Sequence, residues 1–175
     1  IFGCMMDRND WLIGEEVVKT QYYPSGALRS MQDPHNGGNS LNDDGYQPRV
    51  MSEYYTGTQD NGGVHINSGI PNWAFYKYAT AITKEKAEKV YYRALNTYLT
   101  KTSQFVDLRI AVVQSAIDLY GNNTTEVNEA KNAFNAVGIY ATDPGGGGSG
   151  GGGTNTAVDL PVNPGQDYIL SYDEN

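Results

Sequence analysis

Cysteine is almost missing from this chain: Cys4 stands alone, which excludes an internal disulfide and says little about redox compartment. Basic residues are in deficit, with twelve Lys and Arg against twenty Asp and Glu. The resulting charge of -8 argues against nucleic acid or an anionic membrane as partner. No apolar run approaches the roughly 18 residues of a membrane span, so no membrane is expected among the partners. No initiating Met and no leader are visible. Ile1 to Met6 reads as the tail of an apolar helix already under way, so the reading frame is expected to begin upstream, and the missing leader carries no information about secretion. Histidine is scarce too: His35 and His65 are the only two, thirty residues apart. What remains, at 175 residues, is enough for one core and an appendage.

The most informative stretch is Gln59-Asp60-Asn61-Gly62-Gly63-Val64-His65-Ile66-Asn67-Ser68-Gly69, which runs directly into a helical pattern. Glycines permit backbone angles closed to other residues, so the loop can fold tightly and bring Asp60 back against His65. A carboxylate on one ring nitrogen fixes the tautomer of an imidazole and raises its pKa. The other nitrogen can then offer a proton to an oxygen that turns negative during a reaction. Spacing alone leaves a second reading open, in which Asp60 or Asn61 closes a turn and His65 is an ordinary surface residue.

From Ile70 the pattern is helical. Trp73, Tyr76, Ala79 and Ile82 recur every third residue after Pro71 in the first turn. Thr83 can cap a second helix with Ala87, Val90, Tyr91, Ala94, Leu95 and Tyr98 on one face. A third carries Phe105, Leu108, Val112, Ala116 and Leu119 and stops at Gly121. Asn123 with Glu126 offers a capping box for a fourth, with Val127, Ala130, Phe134 and Val137 buried before Gly138. Residues 20–58, rich in Gly, Pro, Asn, Asp and Tyr, read as long irregular connections. His35, in a turn-like stretch, is expected to be solvent-exposed and without function.

At Asp143-Pro144 the composition breaks into Gly145 to Gly153, eight glycines and one serine, a flexible coil. Val158 to Val162 and Asp167 to Tyr172 alternate like strands around Pro164-Gly165. Three units are therefore expected: an α-helical unit over 1–142, a linker over 143–153, and the start of an accessory β-module or a tag over 154–175. The fold class is mainly α with a short β-like tail.

The string from Asp60 to Gly69, with Asp10-Trp11-Leu12-Ile13-Gly14-Glu15-Glu16 and Ala27-Leu28-Arg29-Ser30-Met31 ahead of it, closely resembles the thermolysin family of zinc metallopeptidases, and its short protealysin-like members most of all. The resemblance covers about residues 1 to 140, the C-terminal helical subdomain of such a catalytic unit. It implies a secreted endopeptidase in which His65, oriented by Asp60, stabilises the tetrahedral oxyanion. Arg29 is implied as the residue that holds a substrate carbonyl. Leu28, Ile13 and Val17 are implied as the wall that receives a bulky apolar residue after the scissile bond. Asp10 and Glu15 match acidic calcium ligands of the family. Leu12 stands where another acid would be, which leaves room for a single ion; the bland alternative is a loop of solvated acids around a hydrophobic anchor.

The family binds zinc through His-Glu-x-x-His, two ligands one helical turn apart with the Glu as general base, and a Glu on the next helix. Neither is found in this sequence. The resemblance thus implies zinc ligands, base and nucleophilic water upstream of Ile1, on an N-terminal half that would be the partner of this chain, with peptide or protein as substrate. The chain alone is expected to be inactive. The competing reading is a non-catalytic helical binding or scaffold module with inherited site remnants.

Overall fold

The computed structural model describes Ile1, residues 10–23 and residues 25–141. The expectations for Cys4 and the helix tail at Ile1 to Met6, for the linker over 143–153 and for the β-like segment over 154–175 therefore lie outside the described residues.

The described chain is mainly α, as expected. Two short strands, β1 (Leu12–Ile13) and β2 (Arg29–Ser30), pair antiparallel with Ile13 opposite Arg29. Flanking bonds from Leu28 N–H to the Ile13 carbonyl (3.0 Å) and from Met31 N–H to the Trp11 carbonyl (2.8 Å) lengthen the ladder. Irregular chain follows, interrupted by a 3-10 turn at Met51–Glu53 and a one-turn segment at Asp60–Gly63. Four longer helices complete the fold: α1 (Gly69–Ile82), α2 (Lys84–Thr97), α3 (Phe105–Tyr120) and α4 (Thr125–Ala136). Each packs on its sequence neighbour, and α4 closes the ring by packing on α1.

The helix starts follow capping chemistry, with one correction. The Thr83 hydroxyl accepts from Lys86 N–H at the start of α2. The cap of α4 is Thr124, which accepts from Val127 N–H, and not Asn123. Asn123 takes φ 61, the left-handed region that Asn tolerates in turns and a cap residue does not use. A capping box does form, but at α3, between Gln104 and Asp107.

The core differs from a set of single stripes because inner helices are covered on two sides. On α1 the buried residues are Ile70, Ala74, Phe75, Tyr78, Ala79 and Ile82, since α2 and α4 both cover it. Trp73 and Tyr76 lie on the shoulder of that face; the Lys77 ammonium sits 4.2 Å over the Trp73 ring. On α3 the run Ile110 to Val113 is wholly buried, whereas Leu119, expected in the core, is 44% exposed near the helix end. Arg109 is buried as well. Its guanidinium donates to the Asn135 side chain (2.7 Å) and to the Ile139 carbonyl (2.6 Å), tying α3 to the end of α4.

Candidate functional site

Asp60, Asn61, Gly62 and Gly63 take φ of 53, 50, 83 and 86, four consecutive residues in left-handed geometry. Asp, Asn and Gly are the residues that enter this region at least cost, which is why such a turn needs this composition. At Gly63 no alternative exists: an added Cβ would lie 2.7 Å from the Tyr55 ring and 2.8 Å from Asn67 Nδ2.

The turn swings the Asp60 carboxylate back over the chain that follows. Oδ2 accepts from the backbone N–H of His65 (2.6 Å) and of Ile66 (2.9 Å), and Oδ1 meets His65 Nδ1 at 2.6 Å. One carboxylate thus closes the turn and also meets the ring. The His65 side chain is 75% exposed, and its Nε2 has no hydrogen-bond partner among the described residues. The His65 hydrogen bond, with the two backbone N–H groups, holds the Asp60 carboxyl below its ordinary value of 3.8.

A depressed carboxylate contributes stability that is present above the unfolded value and lost as pH falls through the folded value. Acidification below pH 3.8 is therefore expected to release the clamp and speed amide exchange at His65 and Ile66, while exchange in α3 stays slow. Hydrogen exchange followed by NMR across that range is the measurement; equal loss of protection in α3 would mean global unfolding instead.

Supports for the loop come from residues that sequence reasoning missed. The Asn67 side chain pairs with the Tyr55 backbone as a peptide would, accepting from its N–H (2.8 Å) and donating to its carbonyl (3.0 Å). Ser68 Oγ donates to the His65 carbonyl (2.7 Å), and Gln47 Nε2 reaches the same carbonyl at 2.5 Å. Asn67 and Ser68 sit in the loop string itself, whereas Gln47 is 18 positions away with no periodicity to flag it.

Arg29, beside Ile13 in the ladder, is half-buried and donates from Nη1 to its neighbour's carbonyl, Leu28 O, at 2.8 Å. Burial lowers its pKa, opposed by the electrostatic influence of Tyr23 and then Asp60, so cation and clamp share one neighbourhood. Ile13 and Leu28 are half-buried, while Val17 is 79% exposed. Gly14 separates the latter two: a Cβ there would lie 3.0 Å from Leu28 Cβ and 3.4 Å from Val17 Cγ2. The three aliphatic residues implied as a wall are therefore near one another, with Val17 open to solvent.

Asp10 and Glu15 form no comparable centre. Asp10 Oδ1 accepts from Leu12 N–H at 2.7 Å, a local turn, and among the described residues no three His, Cys, Asp or Glu are grouped to hold a metal. The expectation for His35 is corrected: it is half-buried, stacked on Tyr46 with ring centroids 4.6 Å apart, and its Nε2 meets Glu53 Oε2 at 2.9 Å. Burial alone would raise the Glu53 pKa, but the Arg49 N–H and the His35 ring carry it below the ordinary value. The pair braces the irregular chain ahead of the site.

Residues 2–139 match the family described as thermolysin metallopeptidase, alpha-helical domain. This chain belongs to that family. Over 155 residues it is 48% identical to a bacillolysin of Bacillus caldolyticus, covering 80% of this chain and 27% of that protein. It is 40% identical to an extracellular elastase of Staphylococcus epidermidis over 139 residues, 79% of this chain and 25% of that protein. Among solved structures it is similar to the precursor of protealysin, a metalloproteinase from Serratia proteamaculans, with TM-score 0.61 and 33% identity over 77% of this chain and 42% of that one. The chain thus spans about a quarter of the length of these curated thermolysin-family relatives.

Proposed function

We propose that this chain is the substrate-side half of a secreted, zinc-dependent endopeptidase of the thermolysin family, preferring bulky apolar residues after the scissile bond. One observation carries the reading: the Asp60 clamp on His65, which leaves Nε2 exposed and unpartnered among the described residues. With both ring nitrogens protonated, Nδ1–H donates to Asp60, and Nε2–H is offered to a carbonyl oxygen as it becomes an oxyanion. The carboxylate balances the ring's charge, so the donor is held in place before reaction begins. Arg29 holds a substrate carbonyl beside it with a planar fork of donors. Leu28, Ile13 and Val17 reward a bulky apolar side chain by burying it, which suits the exposure of Val17.

Zinc does not fit the residues described here, since no three metal-binding side chains are grouped. Zinc, the general base and the nucleophilic water are assigned to an N-terminal half of the catalytic unit, the partner of this chain. Calcium at Asp10 and Glu15 would need further oxygen ligands from outside the described residues. The unit over 1–142 is the helical subdomain, 143–153 a linker and 154–175 an accessory module or tag. Secretion accords with the extracellular relative.

The direct test is the isolated 175-residue chain with zinc and casein. It is expected to bind no zinc tightly and to release no peptides, whereas the full-length protein does both. A stoichiometric, chelator-sensitive activity of the isolated chain would contradict the division of labour.

A further inference from the structure

We infer that Gln47 is a positioning residue for His65, fixing the main chain on the carbonyl side while Asp60 fixes it on the amide side. The inference rests on the reading of His65 as oxyanion donor. Gln47 is 1% exposed, and its Nε2 lies 2.5 Å from the His65 carbonyl oxygen and 2.8 Å from Ser68 Oγ. Ser68 Oγ is itself 2.7 Å from that carbonyl. A hydroxyl has one hydrogen. Ser68 spends it on the His65 oxygen and must accept from Gln47, so the amide faces the site with its NH2 end. The reverse orientation would set Oε1 against a carbonyl and lose both bonds.

The other end of the amide shows why stability does not explain the residue. Gln47 Oε1 is buried without a hydrogen-bond partner among the described residues. A buried acceptor with nothing to accept opposes folding, and an apolar side chain of the same shape would avoid it. What the glutamine supplies is a second donor to one carbonyl.

Its own backbone is equally constrained. Gln47 N–H donates to the Pro34 carbonyl at 2.8 Å. The start of α1 presses on it so closely that a Cβ on Gly69 would lie 2.6 Å from Gln47 Cβ and 2.3 Å from the Pro48 carbonyl oxygen. His65 is thereby tied to the first turn of α1 through a group that cannot drift. Asp60 sets the direction of the ring, and Gln47 sets where the ring stands.

The test is a double-mutant cycle in the full-length enzyme. Gln47→Met keeps the volume and removes the donor. It is expected to lower kcat by roughly 10²-fold, the cost of a small misplacement, with KM and zinc content unchanged. In a His65→Ala background the same substitution is expected to cost nothing further, because there is no ring left to place. Ser68→Ala removes the half-buried second donor, should fold even where Gln47→Met does not, and should show a smaller loss that likewise vanishes without His65. A loss that persists undiminished in the His65→Ala background makes Gln47 and Ser68 merely structural and overturns the inference, as does no loss at all; both leave the role of His65 standing. A harmless His65→Ala overturns that role and the inference with it.

Discussion

His65→Ala in the full-length enzyme is expected to lower kcat/KM by roughly two to three orders of magnitude, the usual cost of one oxyanion donor. The effect should fall mainly on kcat, because the proposed hydrogen bond is to a charge that exists only in the transition state. Zinc content and thermal stability should hardly change. The ring is largely exposed, and Asp60 still closes the turn through the backbone N–H groups of residues 65 and 66. Asp60→Asn should cost less activity than His65→Ala, since the imidazole stays but loses its anionic partner. If Arg29 holds a substrate carbonyl as proposed, Arg29→Ala should differ in kind, raising KM along with any loss in kcat, because that contact would be present in ground and transition states alike. Steady-state kinetics with metal analysis separates the three. Loss of zinc from His65→Ala would make His65 a ligand, and unchanged kinetics would reduce the Asp60 clamp to a turn closure.

Phe75→Ala should produce the largest loss of stability, about 3–5 kcal/mol. Phe75 is fully buried on α1, edge-on to Tyr91 of α2 with centroids 5.0 Å apart and to Trp11 at 6.2 Å. Removing the ring leaves a void between Trp11, α1 and α2, which four mutually packed helices cannot close by moving one of them. A fall in Tm on the order of 10 °C is expected. Leu119→Ala deletes a comparable apolar side chain where it is already half in water, and should cost well under about 1 kcal/mol. Comparable losses for both would mean that the helices pack differently from the arrangement described.

The helices and the site turn were readable in the sequence for the same reason: both rest on local chemistry. Thr83 announces the start of α2, and Asp-Asn-Gly-Gly announces a left-handed turn because those residues alone tolerate it in series. Asn123 misled because Asn serves equally as a cap and as a left-handed turn residue; the choice falls to Thr124, whose extended backbone suits the cap. Leu119 misled because periodicity shows which side of a helix is apolar and not where the covering neighbour ends. His35 and Gln47 were opaque for a deeper reason. The partner of each lies 18 positions away across chain with no repeat, so their burial follows from tertiary placement alone.

The closure of α4 onto α1 has a consequence for the order in which the chain folds. The site loop leads into α1, which stays uncovered on one side until Thr125 to Ala136 arrive. The Val137 carbonyl then accepts from Met51 N–H at 2.8 Å, latching the end of α4 to the 3-10 turn just ahead of the loop. Synthesis proceeds from the N-terminus, so a growing chain holds every residue of the Asp60–His65 clamp some sixty positions before the helix that seats it has emerged. Chains halted before Thr125 should therefore show the His65 loop open to a probe protease, and chains extended through Ala136 should not.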